Sequence, residues 1–214
     1  MRRLIITAAV AALVAAPVLA GCGSSDSAAG TDPAATATAA GAKSWSSPPE
    51  MAIDVNATYT AALTTSEGEI QIALDAKQAP ATVNNFVFLA RQGFYDGVTF
   101  HRVIPGFVIQ GGDPQGTGAG GPGYQFADEL PKSGAYTIGS VAMANSGPNT
   151  NGSQFFIIVG DQGVALPAAY SLFGQVTKGQ DVADRISTMA APGTEAPDPV
   201  VTITTITITE KGGA

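Results

Sequence analysis

Apolar and polar positions divide the chain into three stretches of different character. Leu4 to Leu19 is a nearly continuous apolar run, Gly23 to about Glu50 has almost no large apolar side chains, and from about Ile53 regular periodicities begin. Alternation over Tyr59 to Leu63 and Glu69 to Leu74 predicts two strands, joined in a hairpin by Ser66, Glu67 and Gly68. Pro80 then opens a helix whose apolar positions Val83, Phe86, Val87 and Ala90 recur at helical spacing, and Gly93 ends it. Further strands are predicted over Val98 to Ile104, Phe107 to Gln110, Ser140 to Ala144, Phe155 to Val159 and Leu172 to Val176, followed by a second helix over about Gln180 to Met189. The β-branched run from Val200 to Thr209 closes the series. Many strands, two separate helices and no βαβ rhythm predict a mainly β domain over residues 52–214, an antiparallel barrel or sandwich. Closing such a sheet removes the exposed edges that its strands otherwise present.

The first stretch reads as an export signal over residues 1–21. Arg2 and Arg3 give a positive start, the apolar run is too short and Ala-rich for a spanning helix, and Leu19, Ala20 and Gly21 approach Cys22 with small residues. Leu-Ala-Gly-Cys resembles the lipobox of bacterial lipoproteins, in which the chain is cut before the cysteine and that sulfur takes diacylglycerol. Cys22 is the only cysteine, so an internal disulfide is excluded. The alternative is an ordinary signal with a leftover thiol. Residues 22–51, rich in Ala, Ser, Thr, Gly and Pro, cannot bury enough surface to offset conformational entropy and read as a flexible tether. Trp45, the only tryptophan, is expected to be a solvated tether residue, with a weak anchoring contact as the alternative.

Charge narrows the partners. Of 10 basic residues, two lie in the signal, which leaves 8 against 17 acidic and a net charge of −9. Such a surface is repelled by nucleic acid and by anionic lipid, so membrane attachment would have to come through lipid on Cys22, at the extracytoplasmic face of the cell membrane.

Counting also restricts the chemistry. One histidine, His101, and one cysteine exclude a histidine-rich zinc site, and no Gly-x-Ser-x-Gly elbow is present for a serine nucleophile. The Gly-rich stretch from Gly111 to Gly123 lacks the Gly-Lys-Ser/Thr ending of a phosphate cradle and reads as a shaped surface loop.

Two long segments carry a resemblance. Phe100 to Asp113, which reads FHRVIPGFVIQGGD, and Ser140 to Ile158 are similar to the cyclophilin family of peptidyl-prolyl isomerases. Pro80 to Phe86, Gly93 to Thr99 and Leu172 to Val176 agree in the flanks, so the resemblance spans about Tyr59 to Glu210. It implies a closed eight-stranded antiparallel barrel capped by two helices, a monomer that uses no metal or cofactor, and proline-containing unfolded or extended polypeptides as substrates. Rotating an X-Pro bond needs neither base nor nucleophile, because the barrier of about 18–20 kcal/mol is lost amide resonance.

By resemblance Arg102 hydrogen-bonds the imide nitrogen as the bond twists. Phe107, Val108, Phe156 and Leu166 would form the apolar pocket for the proline ring, Gln110 would hold the substrate carbonyl, and the backbone of Asn145 would pair with the peptide. Gly116, Ala144, Ser146 and Gln154 match the walls of the adjoining groove. His101 is expected to be structural and to face away from Arg102 by strand alternation. Two positions depart from the family. Ala165 stands where many members carry tryptophan and Tyr170 where they carry histidine, which implies a wider pocket, weak cyclosporin binding and an altered preference. These departures keep open the alternative of a proline-peptide-binding chaperone or scaffold with little turnover. An inert envelope lipoprotein is a weaker third reading.

Overall fold

The computed structural model describes residues 43–212, so the signal and lipobox readings, with Cys22, lie outside the described residues. Thr58–Thr65 (β1) and Gly68–Leu74 (β2) form the expected hairpin, paired from Tyr59 opposite Leu74 to Thr65 opposite Gly68. Their alternation buries Tyr59, Ala61 and Leu63 of one strand against Ile70 and Ile72 of the other. Pro80–Arg91 (α1) follows, begun by a proline whose missing N–H is not needed in a first turn. The N–H groups of Ala81 and Thr82 donate to the Glu129 carboxylate at 3.0 and 2.8 Å, which sets an anion at the positive end of the helix. The remaining strands are Val98–Thr99 (β3), Arg102–Ile104 (β4), Val108–Gly111 (β5), Ser140–Met143 (β6), Phe155–Ile158 (β7), Leu172–Lys178 (β8) and Thr202–Lys211 (β9). Two helices join them, the single turn Asp161–Val164 (α2) and Gln180–Ser187 (α3). Among the described residues no helix is long and apolar enough to cross a membrane.

The fold is mainly β, but the closed eight-stranded barrel with two helices is corrected. The described residues form three helices and one antiparallel sheet of nine strands, an open half-barrel ordered β3-β9-β1-β2-β8-β6-β7-β5-β4. The cause is a break inside the segment Val98 to Ile104, which the alternation reads as one strand. The Phe100 N–H donates to the Val201 carbonyl at 3.0 Å, which extends the pairing with β9 by one residue, and beyond His101 the chain changes partner. Residues before the break pair with β9 and those after it pair with β5, which leaves β3 and β4 as the two ends of the sheet.

The sheet buries apolar side chains on both faces. Val103, Ile109, Val141 and Ile157 join the main core with α1, whereas Val108, Ala142, Phe156 and Ile158 form a smaller cluster on the opposite side. That second cluster is where the candidate site lies.

Beyond β5 the Gly-rich stretch wraps around one carboxylate. Asp113, fully buried, accepts the N–H groups of Gln115, Thr117, Gly118 and Gly120 at 2.7 to 3.1 Å. The backbone donors that a phosphate would need are thus consumed by the chain's own anion. Gly120 is required, because a Cβ there would fall 1.9 Å from an Asp113 carboxylate oxygen.

Part of the expected tether is bound to the domain. Trp45 is half-buried, with its ring centroid 5.1 Å from Phe88 and 6.0 Å from Phe94, and its N–H donates to the Pro122 carbonyl at 2.8 Å. The Asn84 amide, on α1, donates to the Glu50 carbonyl at 3.0 Å and accepts the Ala52 N–H at 2.9 Å. The solvated reading of Trp45 is therefore corrected. A composition poor in large apolar residues hid one aromatic anchor and the buried asparagine that receives its segment.

Two predictions follow from these contacts. Replacing Trp45 by alanine is expected to cost about 2 kcal/mol in denaturant unfolding, less than for a fully buried tryptophan. The wild-type tryptophan emission should be blue-shifted until unfolding; native emission typical of a water-exposed indole would contradict the docking. For Asp113, burial raises the pKa but the N–H bonds from Gln115, Gly120, Gly118 and Thr117 together outweigh it, so the net value lies below the ordinary 3.8. A depressed folded-state pKa stabilises the fold above the unfolded carboxylate's range, and that contribution is lost as pH falls through the folded value. Asp113→Asn, which keeps a single acceptor oxygen, should cost about 2–3 kcal/mol near neutral pH and should weaken the acid dependence of the melting temperature below pH 4. An unchanged acid limb would show that this carboxylate does not hold the loop.

Candidate active site

Strand register assembles the site. Arg102 on β4 lies opposite Gln110 on β5, Gln110 opposite Phe156 on β7, and Phe156 opposite Ala142 on β6. With about 4.8 Å between strands and a side-chain period of two, these residues form one row on one face. The Arg102 guanidinium carbon sits 5.7 Å from the centroid of the Phe107 ring, within the range of a cation–π contact. Its Nη1 donates to Gln110 Oε1 at 3.5 Å, the outer limit of a hydrogen bond, and its Nε donates to Glu195 Oε2 at 2.5 Å. Gln110 Nε2 donates in turn to Gln154 Oε1 at 3.0 Å, and Gln154 Nε2 donates to the carbonyls of Gly118 and Gly120, each at 2.9 Å. A continuous polar chain therefore runs from Glu195 to the Asp113 loop.

Apolar side chains lie next to this row. Val108 and Phe156 are buried, with Phe107, Ala144, Leu166 and Tyr170 packed against their cluster. The Tyr170 ring meets Phe156 edge-on, with centroids 5.3 Å apart and planes at 84°. Tyr136 holds that segment, donating its hydroxyl to the Tyr170 carbonyl at 2.7 Å and accepting the Tyr170 N–H at 3.1 Å. Ala165 is exposed at the C-terminal end of α2.

Gln110, Ala144, Asn145, Ser146 and Gln154 line a groove of about 880 Å³ beside the row, with the Gly118–Gly123 loop as its far wall. Neither the N–H nor the C=O of Asn145 has an internal partner among the described residues, while its side chain is tied to the Ala169 carbonyl and the Gly147 N–H. A fixed residue with free backbone groups can add an extended peptide as a further strand. Gly116 is not brought into this groove; it lies in the Asp113 loop facing Thr99. A second cavity of about 660 Å³, lined in part by Val55, Lys77 and Lys132, holds none of the candidate residues.

His101 lies in the break between β3 and β4, with both ring nitrogens buried and without a protein partner. Burial lowers its pKa, opposed by the nearby Asp113 carboxylate and aided by Arg102. Burial therefore favours the neutral form of the ring, and neither ring nitrogen is bonded to the Arg102 row.

Four residues were not marked by the sequence patterns. Glu195 comes from a loop 93 positions away from its partner, Tyr136 precedes β6 with no periodic signal, and Lys43 and Ser44 reach the groove rim through the docked Trp45 segment. Gly123, at φ +94, admits that segment, since a Cβ there would collide with Ser44 and Trp45.

Residues 60–208 match the family model described as cyclophilin type peptidyl-prolyl cis-trans isomerase/CLD. The chain is 49% identical over 168 residues to a probable peptidyl-prolyl cis-trans isomerase A of Mycobacterium leprae, covering 70% of this chain and 91% of that protein. It is likewise 49% identical over 171 residues to peptidyl-prolyl cis-trans isomerase A of Mycobacterium tuberculosis, covering 71% and 93%. Among solved structures it resembles a cyclophilin type isomerase of Cryptosporidium parvum with a TM-score of 0.67 and 32% identity, over 72% of this chain and 99% of that one. A second structure of that protein, in the presence of the dipeptide Ala-Pro, gives a TM-score of 0.66 at 33% identity, over 71% and 99%. With its sheet, its two long motifs and 149 consecutive residues under one family model, the chain belongs to the cyclophilin-type peptidyl-prolyl cis-trans isomerases.

Proposed function

We propose that this chain turns X-Pro bonds in extended segments of exported proteins, with Arg102 stabilising the twisted bond. The observation that carries the reading is the cross-strand row, which sets the Arg102 donor beside Gln110 and the Phe156 cluster. A proline ring against Phe156, Val108, Leu166 and Phe107 would leave its imide nitrogen near the guanidinium. As the bond twists, that nitrogen regains its lone pair and becomes a hydrogen-bond acceptor, so a fixed donor favours the twisted state over both planar ones. Gln110 would hold the preceding carbonyl and Asn145 the peptide backbone. The Cryptosporidium parvum relative in the presence of Ala-Pro supports proline-containing peptides as the substrate class.

The magnitudes are consistent with this mechanism. Uncatalysed exchange takes tens to hundreds of seconds, so millisecond turnover needs about 10⁵-fold acceleration, or roughly 7 kcal/mol of differential binding. No single hydrogen bond supplies that much. Pocket, carbonyl clamp and guanidinium must act together, with the guanidinium term the one realised only on twisting.

Export and lipid anchoring through Cys22 at the extracytoplasmic face complete the proposal. They are supported by the positive start, the apolar run and the Leu-Ala-Gly-Cys sequence. Folding of exported chains is often limited by proline isomerisation, which would give such an enzyme its substrate.

Arg102→Ala should lower kcat/KM on a proline peptide by roughly 100- to 1000-fold, the usual cost of removing one such donor. Equal rates in a direct isomerisation assay would sink the Arg102 mechanism. Client binding that survives in Arg102→Ala, with negligible wild-type turnover, would favour the chaperone or scaffold reading instead. For the anchor, Cys22→Ser should move the protein from the membrane fraction to the soluble fraction and abolish incorporation of labelled palmitate; membrane retention by the variant would refute lipidation at that sulfur.

A further inference from the structure

The loop between α3 and β9 belongs to none of the motifs above, yet it contacts Arg102. It is a built turn, closed by Ala191 N–H to the Ala196 carbonyl at 2.9 Å and Asp198 N–H to the Met189 carbonyl at 2.8 Å. From it Glu195 makes two contacts with β4. Its carbonyl accepts the Val103 N–H at 2.6 Å, capping an end strand of the sheet, and its carboxylate accepts Arg102 Nε–H at 2.5 Å. The main-chain bond fixes the residue, and the side chain then reaches the neighbouring guanidinium.

Arg102 is thereby held at Nε by Glu195, at Nη1 by Gln110 and on one flat face by Phe107. Among the described residues, Nη2 has no protein partner and is left to meet a substrate. The bland account is an exposed surface ion pair, and the side chains are indeed 35% and 56% exposed. Such pairs add little to global stability. Orientation is a separate matter, because a long arginine side chain loses much rotamer freedom when it is fixed, and fixing it beforehand removes that loss from the reaction step.

We propose that Glu195 is a positioning residue that orients Arg102 for isomerisation, an inference that rests on the role of Arg102 proposed above. Its effect belongs in kcat and not in KM, since the carboxylate reaches the reaction through Arg102 and not through the bound ground-state peptide.

The test uses the full chain with Glu195→Ala and Glu195→Gln, both of which keep the backbone bond to Val103. Glu195→Ala should lower kcat about fivefold, close to 1 kcal/mol at about 1.36 kcal/mol per factor of ten, with KM within about twofold of wild type. Glu195→Gln, which keeps a neutral acceptor, should fall between the two. In NMR spectra the Arg102 Nε–H resonance should move upfield in Glu195→Ala while the backbone spectrum stays folded. Wild-type kcat in Glu195→Ala, a loss confined to KM, or an unmoved Nε–H resonance would each overturn the proposal. Arg102→Ala in the same assay separates the two ideas. An inactive Arg102→Ala beside a fully active Glu195→Ala sinks only the Glu195 role, whereas an active Arg102→Ala sinks both.

Discussion

The register of β4, β5 and β7 is the constraint on which the rest of the molecule depends. A strand's side chains alternate in direction, so a slip of one residue exchanges every inward side chain for an outward one. In the observed register Val103, Ile109 and Ile157 enter the main core while Arg102, Gln110 and Phe156 face the opposite side. The slipped register would turn a guanidinium and an amide into the main core and take three branched apolar side chains out of it. Its cost lies in desolvated charge and lost apolar burial together, both large on the scale of a domain's net stability. The same parity that selects the core therefore selects the face with the polar row, and stability and site are specified by one pattern.

A second consequence of the register is the polar chain across its outer face. Glu195, Arg102, Gln110 and Gln154 connect in sequence and end on the carbonyls of Gly118 and Gly120, whose loop is itself held by buried Asp113. Each member fixes the next, so hydrogen-bonding groups that would otherwise sample many rotamers hold one arrangement. Gly112 makes the junction feasible. At φ +85 it lets the chain leave β5 beside Ser153, where a Cβ would lie 2.4 Å from a carbonyl oxygen, and it delivers Asp113 into the loop.

Features encoded locally were legible in the sequence, and those made by distant partners were not. Alternation gave the β1–β2 hairpin, Pro80 and Gly93 gave the limits of α1, and the segments around Arg102 and Phe156 gave nearly all of the cluster. The break after Phe100 was hidden because pairing passes there from β9, about a hundred residues later, to β5, with no local breaker to mark it. With it went the closure of the sheet. Glu195 was invisible for the same reason: nothing in a Thr-Glu-Ala-Pro turn announces that it will return to the edge of β4. Trp45 misled through its surroundings, since a low-complexity segment can still carry one side chain large enough to dock.

Gly116, a motif match that lies in the Asp113 loop and not among the lining residues of the groove, is placed by a different cause. The residues on strands kept their expected neighbours because a ladder transmits register from one strand to the next. A glycine in the loop beyond Asp113 has no ladder behind it, and its place is set by which N–H groups the carboxylate captures. The reliability of a carried-over residue therefore follows its mechanical connection to the sheet. By that criterion Arg102, Gln110 and Phe156 are the firmest assignments. Leu166 and Tyr170, which reach the cluster from the segment after α2, depend on the paired hydrogen bonds of Tyr136 to Tyr170 and on packing alone.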